Sequence, residues 1–130
     1  MSQENVEIVR AMFEQFAQGD FSRLADMADD FEWVSSPELP DAGTYRGEAA
    51  RRWITAWVEA FAGFKAEATE IIDAGDKVFV AILQRGRVRE SPTVVEGHWW
   101  IVVTVREGVI SRSEAFVERA QALEAAGLRE

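Results

Sequence analysis

Between Lys65 and Val117 the chain offers four β-rich runs in succession, and this run of strands constrains the fold more than any other feature. Lys65 to Asp73, Lys77 to Val88, Val95 to Arg106 and Val109 to Val117 are rich in β-branched and aromatic residues, with Gly75-Asp76 and Glu107-Gly108 as hairpin turn signals. A parallel return needs a crossover of a dozen residues or more, so such short connections predict an antiparallel meander. The chain ahead of the meander reads as helix. Helices first and consecutive antiparallel strands afterwards predict an α+β fold, with the helices packed on one face of a curved sheet.

From Glu4 to Ala17, Val6, Val9, Met12, Phe13, Phe16 and Ala17 recur at three- and four-residue steps, the period of an amphipathic helix that Gly19 ends. Asp20 is placed to cap a second, shorter helix carrying Phe21, Leu24 and Met27. Phe31 to Ser36 reads as a short strand stopped by Pro37, and Ser36 to Gly43 as a loop. The strongest helix signal spans Glu48 to Ala62, where Trp53, Trp57 and Phe61 stand four residues apart on one face beside Ile54 and Val58. Those rings either pack the core or form the wall of an apolar cavity. A last helix, Glu118 to Ala126, ends at Gly127.

Composition removes several functions. At 130 residues and 48% apolar content the chain has material for one core, so a single domain over 1–130 is expected. A formal charge of −9 repels phosphate backbones and anionic lipid, which argues against nucleic acid and membrane surfaces as partners. With no cysteine and one histidine, His98, thiolate sites are excluded and a metal is not expected. There is neither a dinucleotide-binding glycine motif nor a P-loop, so no cofactor is expected. The N-terminal residues lack a signal-peptide pattern and no stretch is long and apolar enough to span a bilayer, which together predict a cytoplasmic protein.

The order of elements, with ADDFEW (28–33), TYRGEAARRW (44–53), VREGVISRSEAF (105–116) and QALEAAGLRE (121–130), resembles the SnoaL-like branch of the nuclear transport factor 2-like superfamily across nearly the whole chain. The resemblance implies a cone-shaped barrel. In it, three N-terminal helices pack on a curved, mostly antiparallel sheet with a short C-terminal helix, and a pocket opens at one end. Chemistry is not implied, because the superfamily holds isomerases, cyclases, epoxide hydrolases, dehydratases and proteins without catalysis. The ketosteroid isomerase pattern fails residue by residue. Its general base falls on Ser35 or Ser36, its oxyanion-hole tyrosine near Met12 and its protonated aspartate on Ile101. The acidic residue of the cyclases, near Ile101, and the carboxylate–arginine relay of the epoxide hydrolases have no counterpart.

A two-residue turn at Glu107-Gly108 pairs Arg106 with Val109, and hence Val103 with Arg112, Ile101 with Glu114 and Trp99 with Phe116. The resemblance makes their common face the concave one, opposite Trp53 and Trp57. Trp33, Trp53, Trp57, Phe61, Trp99, Ile101, Arg112 and Phe116 then line a site for a small apolar or polycyclic ligand. Glu114 is its candidate general acid or base, or else half of an ion pair with Arg112 that closes the cavity. His98, Trp100, Val102 and Thr104 fall on the convex face, where the apolar members predict a homodimer contact. A slip of one residue would invert these faces. Two functions remain open: a cofactor-free isomerase, cyclase or lyase, and a non-catalytic binding or dimerisation module of the same fold.

Overall fold

The computed structural model describes residues 2–39 and 42–128; Pro40 and Asp41 of the expected loop lie outside the described residues. The chain runs through helix α1 (Ser2–Phe16), a 3-10 turn (Ser22–Asp26), strands β1 (Glu32–Ser35) and β2 (Gly43–Arg46), and helix α2 (Glu48–Glu59). Strands β3 (Phe61–Ala74), β4 (Lys77–Val88), β5 (Val94–Arg106) and β6 (Val109–Phe116) and helix α3 (Arg119–Ala125) follow. β3 to β6 form the expected meander. β1 joins its far side, parallel to β6 and antiparallel to β2, which gives a mixed sheet of order β2-β1-β6-β5-β4-β3. The sheet is open rather than closed into a barrel. Its edges β2 and β3 do not pair, and α2 packs against both of them.

Three local expectations change. The expected loop ends a residue sooner than Gly43, and Gly43–Arg46, between that loop and the helix, pairs with Glu32–Ser35 as β2. The second helix is a single 3-10 turn. Ser22 N–H donates to Asp20 Oδ1 at 3.0 Å where the turn begins, and the Arg51 guanidinium donates to the carbonyls of Leu24 within it and of Met27 and Ala28 beyond it. Those contacts explain one arginine of the 44–53 motif as structural. α2 stops at Glu59, so Phe61 begins β3 instead of closing the helical stripe. There it lies so close over Gly86 that a Cβ on Gly86 would stand 2.7 Å from Phe61 Cβ.

The sheet has a core on each face. On the concave side Val9, Met12, Phe13 and Phe16 of α1 meet Val78, Val80 and Ile82 of β4 and Ile101, Val103 and Val105 of β5. On the convex side Phe79, Ala81 and Val102 lie under Ala122 and Leu123 of α3 and Ala126 at its end. Val102 is therefore 0% exposed within one chain, so part of the face expected to need a second subunit is covered by the C-terminal helix. Large side chains buried this way contribute about 1.5–3 kcal/mol each. α3 is short, and its end is fixed by Gly127 at φ +79° with Gly127 N–H donating to Glu124 and Leu128 N–H to Leu123.

The start of α3 is tied down by charge. The Arg119 guanidinium donates to both carboxylate oxygens of Glu70 on β3 and stands 5.2 Å from the Phe79 ring centroid. Those hydrogen bonds hold the Glu70 carboxyl below its ordinary value of 4.5. A carboxyl whose folded pKa is depressed stabilises the fold above its unfolded pKa and loses that contribution as pH falls through the folded one. Stability should therefore drop more steeply below pH 4.5 in the parent than in Glu70→Gln, with the two urea midpoints converging in acid. Parallel midpoint curves would show that the pair does not anchor α3.

Candidate functional site

Between the concave face of the sheet and the two long helices lies a cavity of about 110 Å³. α1 contributes Met12, Phe13 and Phe16, and the 3-10 turn with its exit contributes Leu24 and Met27. α2 presents Trp53, Ile54, Trp57 and Val58; the sheet supplies Trp33, Ala66, Ile82, Gln84, Trp99, Ile101, Ser113 and Ala115. Four of the five tryptophans are thus in the wall. They form a chain of ring contacts: Trp33 to Trp53 at 5.0 Å, Trp53 stacked on Trp57 at 6.2 Å, and Trp57 edge-on to Trp99 at 6.0 Å. Spacing of four residues on α2 puts Trp53 and Trp57 side by side, and alternation along β1 and β5 turns Trp33 and Trp99 toward them.

Only two polar side chains appear among the described lining residues, Gln84 and Ser113. Gln84 is 8% exposed, and its Oε1 accepts from Trp57 Nε1 at 3.1 Å. Indole N–H can only donate, so this bond fixes the amide with its NH₂ directed elsewhere. Ser113 is 3% exposed and stands opposite Trp33 in the β1–β6 register. Two groups near it, Trp33 Nε1 and Ser35 Oγ, are buried without a hydrogen bond. Ser36, the other residue at the isomerase base position, donates to Glu38 Oε2.

The carboxylate expected here is elsewhere. β5 and β6 start in the predicted register, with Arg106 opposite Val109 and Val105 opposite Ile110, but the next pair is Thr104 with Arg112. Ser111 is thus an extra residue, a β-bulge, and its hydroxyl donates to the Thr104 carbonyl at 3.3 Å. Beyond the bulge each partner is displaced by one: Val103 meets Ser113, Val102 meets Glu114, Ile101 meets Ala115 and Trp100 meets Phe116. Arg112, Glu114 and Phe116 therefore take the face opposite the cavity, and Ser113 and Ala115 enter it. The expected ion pair does form there, Arg112 Nη2 to Glu114 Oε2 at 3.5 Å. It continues through Arg112 Nη1 to Glu32 at 3.1 Å and Arg46 Nε to Glu32 at 2.7 Å.

Of the residues expected to meet a ligand, Trp33, Trp53, Trp57, Trp99 and Ile101 line the cavity, whereas Phe61, Arg112, Glu114 and Phe116 do not. Phe61 still touches Trp57, ring centroids 5.5 Å apart, from behind the wall. Gln84 and Ser113 were missed. Gln84 continues the inward sequence Val78, Val80, Ile82 by alternation and is its one polar member, a signal present in the chain. Arg85, Arg87 and Arg89 reach Glu96, the Ser91 carbonyl and the Glu59 carbonyl. Among the described residues no cluster of His, Asp and Glu could hold a metal ion, and no helix is long and apolar enough to cross a membrane.

The profile of the SnoaL-like domain matches residues 9–113. The chain belongs to that family. No curated protein matches the chain. Among solved structures, a nuclear transport factor 2-like protein from Burkholderia xenovorans LB400 is 30% identical, with 97% of each chain covered and a TM-score of 0.66. A hypothetical protein of ketosteroid isomerase-like fold from Catenulispora acidiphila DSM 44928, in complex with trimethylamine, is 19% identical over 95% of this chain and 94% of its own, TM-score 0.68. TerC, co-crystallised with polyporic acid, is 22% identical over 95% of this chain and 98% of its own, TM-score 0.71. The SnoaL-like fold is therefore shared, and the motifs 28–33 and 44–53 within the matched span serve it through β1, β2 and the Arg51 contacts.

Glu114→Gln should leave ligand binding in the cavity unchanged, because the side chain lies on the other face. It should cost about 1 kcal/mol or less of stability, the scale of a partly exposed ion pair. Urea unfolding alongside ligand titration checks both halves, and a large loss of binding would return Glu114 to the site.

Proposed function

We propose that the protein binds a small, neutral, largely apolar molecule in the tryptophan-lined cavity and does so without acid–base chemistry. One observation carries this reading: among the described residues, none that lines the cavity is titratable at ordinary pH. Isomerisation, cyclisation and elimination through proton transfer need an acid or base within reach of the substrate, about 3 Å or one water away. Gln84 and Ser113 orient a ligand but do not supply that group. The volume sets the size. A dry cavity of about 150 Å³ accepts benzene, so about 110 Å³ suits one ring or less, and a polycyclic body would require the walls to part.

Charge sets the polarity. An aromatic wall attracts a cation by about 2 kcal/mol when desolvated, whereas removing an ion from water without a counter-charge costs several kcal/mol. With no carboxylate in the described lining, a neutral ligand is favoured. The small molecules held by the Catenulispora protein and by TerC support a ligand-holding use of this fold.

Toluene tests the reading directly. At about ten times its Kd it should stabilise the protein by ~1.4 kcal/mol, several degrees in Tm. Ala66→Leu, which adds volume to the wall, should abolish the shift while still melting cooperatively. A Tm indifferent to toluene, or a larger shift with tetramethylammonium, would sink the neutral-ligand reading.

A second copy is proposed on the part of the convex face that α3 leaves open. His98 is exposed there beside half-buried Trp100 and Leu83, and Val94, 52% exposed, lies further along the same face of β5. Sedimentation at micromolar concentration should show a dimer that Trp100→Glu dissociates. A monomer in the parent would refute it.

A further inference from the structure

Three buried side-chain atoms among the described residues have no hydrogen-bond partner: Trp33 Nε1, beside the cavity, Ser35 Oγ on the same strand, and Arg112 Nε on the opposite face of the sheet. Trp33 on β1 and Ser113 on β6 are register partners, on neighbouring strands about 4.8 Å apart, and both line the cavity. Trp33 Nε1 has no acceptor. Ser35, two residues further along the same face of β1 and 3% exposed, has a hydroxyl that is also buried and unpaired. Leaving such groups unsatisfied costs about 1–3 kcal/mol each, and native proteins tolerate few of them. The rest of the described lining is apolar except for Gln84, whose Oε1 is already engaged by Trp57.

We infer that the Trp33–Ser113 corner is a subsite for a single uncharged oxygen acceptor on the ligand, which makes the ligand class a monocyclic or smaller carbonyl compound. The donor set dictates this chemistry. An indole N–H can only donate, and a serine hydroxyl donates as readily as it accepts, so together they suit one oxygen with two lone pairs. A carbonyl oxygen has that number; Trp33 Nε1 has under 1 Å² of accessible surface, so the ring must shift to let that oxygen accept from it and from Ser113 Oγ, while the ligand's own ring rests against Trp53, Trp57 and Trp99. A carboxylate would bring a charge into an enclosure whose described lining holds no cation. A hydrocarbon would leave the N–H unpaired. The inference rests on the cavity being the binding site, and adds what the ligand must carry.

The test compares cyclohexanone with toluene, probes of equal heavy-atom count, by calorimetric titration of the parent and of Trp33→Phe, Ser113→Ala and Ser35→Ala. Cyclohexanone affinity should fall about 10-fold in Trp33→Phe and in Ser113→Ala, the worth of one buried hydrogen bond. Toluene affinity should change by less than about 2-fold, since neither substitution removes a bond it makes. Ser35→Ala, one step further from the corner, should show a smaller effect of the same sign. Each variant is read separately against its own melting curve, so failure of one to fold leaves the others decisive. If both probes weaken together, these residues shape the wall and the subsite is wrong. Equal cyclohexanone affinity in parent and variants, or toluene binding with no cyclohexanone binding, overturns the subsite and leaves the cavity's binding role standing. Failure of the parent to bind either probe overturns both.

Discussion

The bulge at Ser111 decides what kind of interior this protein has. β6 carries Arg112 and Glu114 two residues apart, so an unbroken ladder from the Glu107-Gly108 turn would aim both charges into an enclosure walled by tryptophan and phenylalanine. Moving charges out of water costs several kcal/mol apiece even after relaxation, and their mutual attraction recovers that only with complete hydrogen bonding. One unpaired residue in the ladder, its hydroxyl bonded to the Thr104 carbonyl, is a small disruption by comparison. With it, Ile110 stays inward beside Val105 near the turn, while Ser113 and Ala115 replace the charges further along. The turn and the cavity thus each get the side chains they need from a strand whose simple alternation satisfies only one of them.

The same displacement organises the outer face. Arg112 and Glu114 come into line with Glu32 of β1, which Arg46 of β2 also holds, so the charges bridge three adjacent strands where the sheet turns from antiparallel to parallel pairing. Further along, α3 covers Phe79 and Val102, and the Glu70–Arg119 pair fixes the point at which the chain crosses onto that face. Two cores on one sheet explain why β4 has buried residues on both sides in an almost unbroken run from Val78 to Ile82. A strand covered on both faces loses the polar alternation that would reveal its facing.

Much of this was legible in the chain and some was not, for reasons that differ from element to element. The meander, the amphipathic α1 and the Trp53–Trp57 face follow from periodicity, which tertiary packing here reinforces. β2 is hidden in the sequence because four residues that begin with a glycine and end with an arginine carry too little pattern; pairing with Glu32–Ser35 makes them a strand. Phe61 fits the i+8 position of α2 equally well as helix, and only its seat over Gly86, where a side chain would collide, shows why the backbone extends two residues earlier. Counting from the turn puts Glu114 on the concave face, and the bulge at Ser111 reverses that count. The corrective signal was energetic: small, uncharged Ser113 and Ala115 alternate with the charged pair, and the apolar side of the sheet takes the former.

What the chain puts where a ketosteroid isomerase has its machinery then acquires a physical meaning. Met12 and Ile101 stand in the described wall as ordinary apolar contacts, and the base position has become Ser35 and Ser36, of which one is bonded to Glu38 and the other is buried and unpaired. Replacing ionisable groups by methionine, isoleucine and serine removes the need to hold a proton and the cost of burying charge. The cavity can then be closed tightly and lined with four tryptophans, because nothing in its described wall must stay hydrated. On the proposed reading, discrimination in such a site would rest on shape and on a few unpaired donors instead of on charge. On that reading the penalty for a wrong ligand would be an unsatisfied N–H or O–H, about 1–3 kcal/mol, enough to select a polar atom's position within a molecule that fits.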